Sequence, residues 1–224
     1  MRINDDLSRP VIVYASQQDW VPSPAPGVDR RMLFRIGEEK ARATSIVRYA
    51  PGSAFSRHVH SGGEEFLVLD GVFQDDEGDY PAGSYVRNPP GTSHAPASEG
   101  GCTIFVRLWQ FRAEDGAQTV RLPGEGQPIA TRPGVKTARV LFDDGHEEVR
   151  LEDWGANNSV TVENPHGLEL LLVSGTIATG AEVMKPQDWA RFPAGIDFQA
   201  HVGDAGAHVW IKRGPLLHPD VCTF

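Results

Sequence analysis

The chain has 224 residues, 40% of them hydrophobic and 23% charged, which is an ordinary globular balance with length enough for one or two cores. Its formal net charge of −9 speaks against nucleic acid or an anionic membrane as a direct partner, because both demand basic patches. No apolar run approaches the ~18 residues of a membrane span, residues 1–10 lack the apolar stretch of a secretory leader, and Cys102 and Cys222 form no CxxC pair; the expectation is a cytoplasmic protein with neither a disulfide scaffold nor a thiolate zinc site.

Seventeen prolines and 24 glycines punctuate short apolar runs, and helical periodicity is hard to find, so the composition predicts an all-β chain. Strands are expected at residues 11–15, 32–36, 43–49, 56–60, 65–69, 83–88 and 103–111, with a short turn at 17–20. Residues 21–27 (VPSPAPG) form a loop with three prolines, residues 75–79 (DDEGD) read as a solvated hairpin tip rather than a Ca²⁺ loop, and the polar stretch 113–130 reads as a linker.

The chemistry concentrates at residues 51–71 and 80–98. His58 and His60 are one residue apart, which on a strand turns both imidazoles to one face and on a helix would separate them by about 200°. Ser61, Gly62 and Gly63 make a turn, after which Glu64, Phe66 and Val68 share a face; a short hairpin would bring Glu64 beside the two histidines. Glu65 is the register-slipped alternative, disfavoured because Phe66 and Val68 go inside with Glu64. Further on, Pro89, Pro90 and Gly91 stiffen the turn that delivers His94. Three imidazoles and one carboxylate suit a borderline divalent ion such as zinc, iron, manganese, nickel or copper.

These residues resemble the cupin superfamily. Its first motif, G-x5-H-x-H-x3,4-E-x6-G, is matched by Gly52, His58, His60, Glu64 and Gly71, and its second, G-x5-P-x-G-x2-H-x3-N, by Gly83, Pro89, Gly91 and His94, with Ser98 where the family has Asn. The run from Glu64 to Pro96 is similar to the ChrR-type cupin domain, found at the C-terminal end of a class of zinc-binding anti-sigma factors and also in stand-alone relatives, some of them described as oxygenases. The resemblance implies a jelly-roll barrel holding a metal through His58, His60, Glu64 and His94, and a homodimer. It also raises a sigma factor as a protein partner, but the His-x3-Cys-x2-Cys zinc motif of those anti-sigma factors is absent here.

A second copy follows. Pro133-Gly134-Val135 echoes Pro26-Gly27-Val28, Gly145-His146-Glu147-Glu148 echoes Gly37-Glu38-Glu39, residues 167–175 (GLELLLVSG) echo 63–71 (GEEFLVLDG), and Phe192-Pro193-Ala194-Gly195 echoes Tyr80-Pro81-Ala82-Gly83. The order is preserved, which predicts two tandem cupin jelly-roll barrels, a bicupin. The division read from the sequence is 1–112 for a metal-binding barrel, 113–131 for a linker and 132–224 for a degenerate barrel. In the second copy Val162, Asn164 and Leu168 stand where the first has His58, His60 and Glu64, and His166, His201 and His208 lie at the wrong spacing for a metal. Trp154, Trp189 and Trp210 read as core or interface anchors.

The expectation is therefore one divalent cation per chain, zinc foremost and iron, manganese or nickel as alternatives. Two uses follow: a metal-dependent sensor or regulator of the ChrR type answering a small molecule or oxidant, or a metal-dependent enzyme such as a small-molecule dioxygenase. Arg48, Tyr85, Arg107 and Trp109 are candidate barrel-lining residues, and Glu65 and Ser98 candidates for a water network near the metal; no general base is named.

Overall fold

The computed structural model describes every residue but Glu39, so part of the Gly37-Glu38-Glu39 echo lies outside the described residues. The chain is all-β: among the described residues the helical content is a single 3-10 turn at Ala15–Gln17. No helix there is long and apolar enough to cross a membrane.

The chain divides into two compact units, the first comprising Met1–Asp5, Asp19–Gly124 and Leu217–Phe224, the second Asp6–Gln18 and Glu125–Leu216. The main sheet of the first unit runs Arg2–Ile3, Val28–Gly37, Ala41–Tyr49, Cys102–Leu108, Glu64–Asp75, Tyr85–Asn88, Thr119–Arg121, antiparallel throughout. A small separate ladder pairs His58–Val59 with Ser93–His94. The alternation of the strands decides what is inside: Phe66, Val68, Ile104 and Val106 share the face that carries Glu64 and form a core with Phe73 and Tyr80.

In the second unit the order is Gln127–Pro128, Val135–Asp143, Glu148–Trp154, Phe198–Arg213, Leu168–Thr179, Trp189–Phe192, Val11–Val13, which reproduces the first unit position for position. The echo read from the sequence is thus a structural repeat. Its hallmark is a glycine: a Cβ on Gly71 (φ 71°) would lie 2.2 Å from the Gly101 carbonyl oxygen, and one on Gly175 (φ 84°) 2.0 Å from that of Gly206, so neither position admits a side chain. The faces opposite the cores repeat too. Tyr85 Oη donates to Glu65 Oε1 at 2.6 Å and Arg107 pairs with Glu65 Oε2 at 2.7 Å, while at the equivalent place Trp189 Nε1 donates to Glu169 Oε2 at 3.3 Å. All of these groups are buried, and satisfied pairing is what allows charged side chains there. Trp154, Trp189 and Trp210 are likewise buried.

The units do not follow chain order. Val11–Val13 was expected to open the first barrel, yet it closes the sheet of the second, pairing with Trp189–Phe192, while its counterpart Thr119–Arg121 closes the first by pairing with Tyr85–Asn88. Residues 113–131 do not stand apart as a linker: those up to Gly124 go with the first unit, those from Glu125 with the second. Both cysteines are buried and free.

Candidate metal centre

Three imidazoles meet in the first unit: His58, His60 and His94 each offer a ring nitrogen, all within 4.8 Å of one another. Their rings stand edge to face, with centroids 4.5 to 5.1 Å apart. Glu64 completes the group, its Oε2 lying 3.3 Å from His60 Nε2 and 3.5 Å from His94 Nε2. His60, His94 and Glu64 are buried, whereas His58 is exposed.

The route by which Glu64 arrives differs from the expected hairpin. The strand of His58 does not pair with that of Glu64; it pairs with the strand of His94, His58 lying directly opposite His94. Glu64 reaches the histidines across the sandwich from the main sheet. Side-chain alternation alone gave the right face, since it holds whichever strand is the neighbour.

Each imidazole is held by its Nδ1. His58 Nδ1 lies 3.3 Å from the Ser56 carbonyl, and His94 Nδ1 3.0 Å from Asp75 Oδ2, so both donate there. His60 Nδ1 lies 3.1 Å from Thr92 Oγ1, whose own hydroxyl donates to the Pro89 carbonyl at 2.8 Å, so the Thr92 oxygen accepts. These bonds fix the tautomer and leave the Nε2 lone pairs bare, the arrangement of metal-ligating histidines. Two of the exposed lone pairs then conflict: His60 Nε2 and Glu64 Oε2 are buried acceptors facing each other without a hydrogen-bond partner among the described residues. A cation between them would remove that cost. The donor set of three nitrogens and one carboxylate oxygen fits a divalent metal, and these four residues would hold it.

The two buried imidazoles differ electrostatically. Burial holds the His60 imidazolium down, only partly offset by Glu64. Burial also pulls on His94, but the Asp75 hydrogen bond and the charges of Glu64, Asp75 and Asp76 outweigh it and raise that imidazole. Asp75 would be raised by its burial, yet the bonds from His94 and the Glu77 amide hold it below the usual carboxylate range.

Asp75 and Thr92 escaped the sequence reading. Asp75 was placed at the start of a solvated tip, but its side chain is only 4% exposed. The tip turns at Asp76 and Glu77, and the strand Glu64–Asp75 runs twelve residues, long enough to carry Asp75 back over His94. Asp75→Asn keeps an acceptor for Nδ1 and removes the charge; metal affinity is expected to fall about 10- to 100-fold in a chelator competition titration.

The other candidates lie elsewhere. Glu65, Tyr85 and Arg107 form the buried network on the opposite face of the sheet. Arg48 points outward, stacked on Trp20 and paired with Asp29 at 2.7 Å. Trp109, at φ 59°, packs against Gly62, where a Cβ would come 2.2 Å from the indole. Ser98 Oγ donates to the Val72 carbonyl at 2.6 Å, away from the histidines.

In the second unit Leu168 and Val162 belong to the core, and Asn164 is used as a staple. Its amide donates to the carbonyls of Phe192, Pro193 and Ile196 and its Oδ1 accepts from Gly167 N. His208 is bound to Asp153. Among the described residues the His58, His60, His94 group is the single cluster of this kind.

Residues 8–112 match the ChrR cupin-like domain family, somewhat under half of the chain, and the first unit is a cupin domain. No curated protein matches the chain by sequence. Among solved structures it resembles a candidate dioxygenase of Nostoc punctiforme (TM-score 0.69, 14% identity, 97% of this chain and 87% of that one). It also resembles the pirin YhhW of Escherichia coli in complex with nickel(II) (TM-score 0.67, 13% identity, 92% and 99%) and oxalate decarboxylase of Bacillus subtilis (TM-score 0.62, 13% identity, 94% and 78%). At such identities the likeness concerns the fold.

Proposed function

We propose that the protein is a bicupin that binds one divalent cation through His58, His60, Glu64 and His94 and uses it on a small molecule, as a metal-dependent enzyme of the oxygenase kind. The observation that carries the metal is the pair of buried, unpartnered acceptors, His60 Nε2 and Glu64 Oε2. What favours turnover over a purely structural ion is access: His58 stands at an exposed edge, so the cation is reachable from solvent. Four protein donors leave a divalent ion room for one or two further ligands, and the bound metal would act as a Lewis acid or redox centre there. The chain itself contributes orientation, through the Nδ1 bonds to Ser56, Thr92 and Asp75, and an aromatic inner wall of Phe66, Phe73, Tyr80 and Tyr49 that excludes water on one side. Tyr49 and Tyr80 have phenols raised by burial and so stay protonated, able to donate and unable to serve as bases.

A second reading has the same metal as the sensing element of a regulator, and the ChrR match motivates it. Anaerobic metal identification followed by O₂ uptake with candidate small molecules separates the two. Iron or manganese with uptake supports the enzyme; redox-inert zinc without turnover, together with capture of a sigma factor, would overturn it. The zinc expected from the sequence would go with the regulator reading, iron or manganese with the enzyme; either is proposed in a cytoplasmic homodimer, and light scattering tests the dimer.

Metal retention should depend on pH with a definite sign. A cation needs the neutral imidazole, and His94 is raised above the ordinary value of about 6.5. The apparent affinity for the metal is therefore expected to start falling on acidification already above pH ~6.5, with release from a saturated site following at lower pH. In the metal-free protein the sign reverses: the raised His94 contributes stability that is full below its unfolded value and is lost as pH rises through the folded one. Thermal melts with and without chelator across pH 5.5–8.5 check both.

A further inference from the structure

The face of the main sheet that carries Glu64 also carries two arginines. Register links Glu64, Leu108, Ala43 and Arg35 in one row across four strands, and Val68, Ile104, Val47 and Arg30 in another. The neighbouring residues confirm the parity: Arg31 and Arg48 lie on the opposite face, both stacked on Trp20, at 4.3 and 4.4 Å. Arg30 and Arg35 line a cavity of about 460 Å³ together with Met1, Pro24 and Glu38.

Among the described residues little neutralises this pair. The two rows contain one carboxylate, Glu64, three strands away from Arg35, or roughly 14 Å at about 4.8 Å per strand. Glu38 sits on the rim with its side chain 85% exposed and engages the Met1 nitrogen, while Arg35 Nη2 donates to the Glu38 backbone carbonyl. Arg30 Nε is buried without a hydrogen-bond partner among the described residues. Burial, and then the charge of Arg30, push the Arg35 guanidinium below its ordinary value, the mark of two cations sharing a confined space.

The second unit shows how the fold deals with an arginine when it supplies the counter-ion itself. Arg132 meets Glu152 through both guanidinium nitrogens, at 2.6 and 2.7 Å, and the Glu152 side chain is fully buried. Tyr49 opposite Cys102 corresponds to Trp154 opposite Ala207, so the repeat position of Glu152 is occupied in the first unit by Val47. Arg132 precedes the strand Val135–Asp143 and is not the counterpart of Arg30, whose repeat position is held by Ala138; the repeat shows only that the acid present there in the second unit is replaced in the first by Val47, beside Arg30 and its cavity.

We propose that Arg30 and Arg35 form a carboxylate subsite in the first unit, which takes the acid group of a small organic acid. The subsite does not rest on the metal reading. Guanidinium groups match carboxylates in both charge and fork geometry. The acid would be lodged on the strand Val28–Gly37, which carries both arginines.

The test is calorimetric titration of the full chain with succinate, with acetate, inorganic phosphate and uncharged succinamide as comparisons, against Arg30→Gln, Arg35→Gln and the charge-keeping Arg30→Lys. Saturable succinate binding, no binding of succinamide, and at least a tenfold loss in each Gln variant are expected, since a hydrogen bond to a charged group is worth that much or more. Arg30→Lys should fall between. Metal content and melting temperature of the variants should match the parent, which separates a lost subsite from a lost fold or a lost metal. Absence of saturable succinate binding, equal affinity in the Gln variants, or phosphate binding more tightly than any carboxylate would overturn the proposal. Arginine-dependent succinate binding in a chain that holds no metal would leave the subsite standing and sink the metal reading alone.

Discussion

His60→Ala is expected to remove nearly all of the bound divalent metal, from about one equivalent per chain to a small fraction, by elemental analysis after desalting. The buried imidazole contributes one of four donors, and its loss leaves Glu64 Oε2 without the neighbour that orients it. Three donors still give a site, so some affinity survives; what is lost is retention through purification. The same change should lower the melting temperature of the metal-loaded protein. A ligand present at 100 times its Kd stabilises the folded state by about 2.7 kcal/mol, so a variant that no longer binds forfeits about that much. The metal-free forms of parent and variant should differ far less, since removing His60 also removes one member of a repulsive pair of acceptors. A parent chain that retains no metal, or a His60→Ala chain that retains all of it, would end the metal reading. Two equivalents in the parent would show that the second unit holds a cation as well.

The site was legible in the sequence because its spacing follows from rules that hold before tertiary structure is known. One residue between His58 and His60 and the parity of Glu64 with Phe66 and Val68 depend only on the two-residue period of a strand. The turn that aims His94 depends on proline and glycine chemistry. The partner strands were not legible. Nothing local says that His58–Val59 would pair with Ser93–His94 rather than with the strand just after it, because pairing is decided by what the whole sandwich buries. For the same reason Asp75 was misplaced. An aspartate in an acidic run looks solvated, and only a strand that continues past Gly71 to the end of its twelve residues brings it onto His94. The duplication was visible in glycines whose positions are fixed by backbone contact, Gly71 and Gly175 above all, while the exchange of edge strands was not, since VIV fits the edge of either sheet.

That exchange has a large consequence for stability. Deleting residues 1–18 removes Asp6–Gln18, which lies near the start of the sequence but belongs to the second unit, together with Met1–Asp5 of the first. Val11, Ile12 and Val13 pair with Arg191, Ala190 and Trp189, and the 3-10 turn that follows buries Ala15 completely. Ser16 N donates to Asp188 Oδ1 at 3.0 Å, and Arg191 Nη2 donates to the Asp6 carbonyl at 3.1 Å. Losing the burial of Val13 and Ile12 alone costs about 3–6 kcal/mol at roughly 1.5–3 kcal/mol per side chain, less what Ile12 already exposes. The truncation also uncovers the edge of Trp189–Phe192, whose four residues are all buried in the intact chain. A bare apolar edge strand invites pairing with another chain. The truncated protein is therefore expected to lose the thermal transition of the second unit or to aggregate. His58, His60, Glu64 and His94 lie wholly within Asp19–Gly124, so the soluble fraction should keep its metal, apart from what the loss of Arg2–Ile3 at the edge of the first sheet costs. A narrower deletion of residues 6–18 joined to Asp5 by a flexible linker controls for that edge. Differential scanning calorimetry with metal analysis reads both. An unchanged melting profile would show that the strand is dispensable, and loss of metal with an intact second transition would mean that the segment serves the first unit after all.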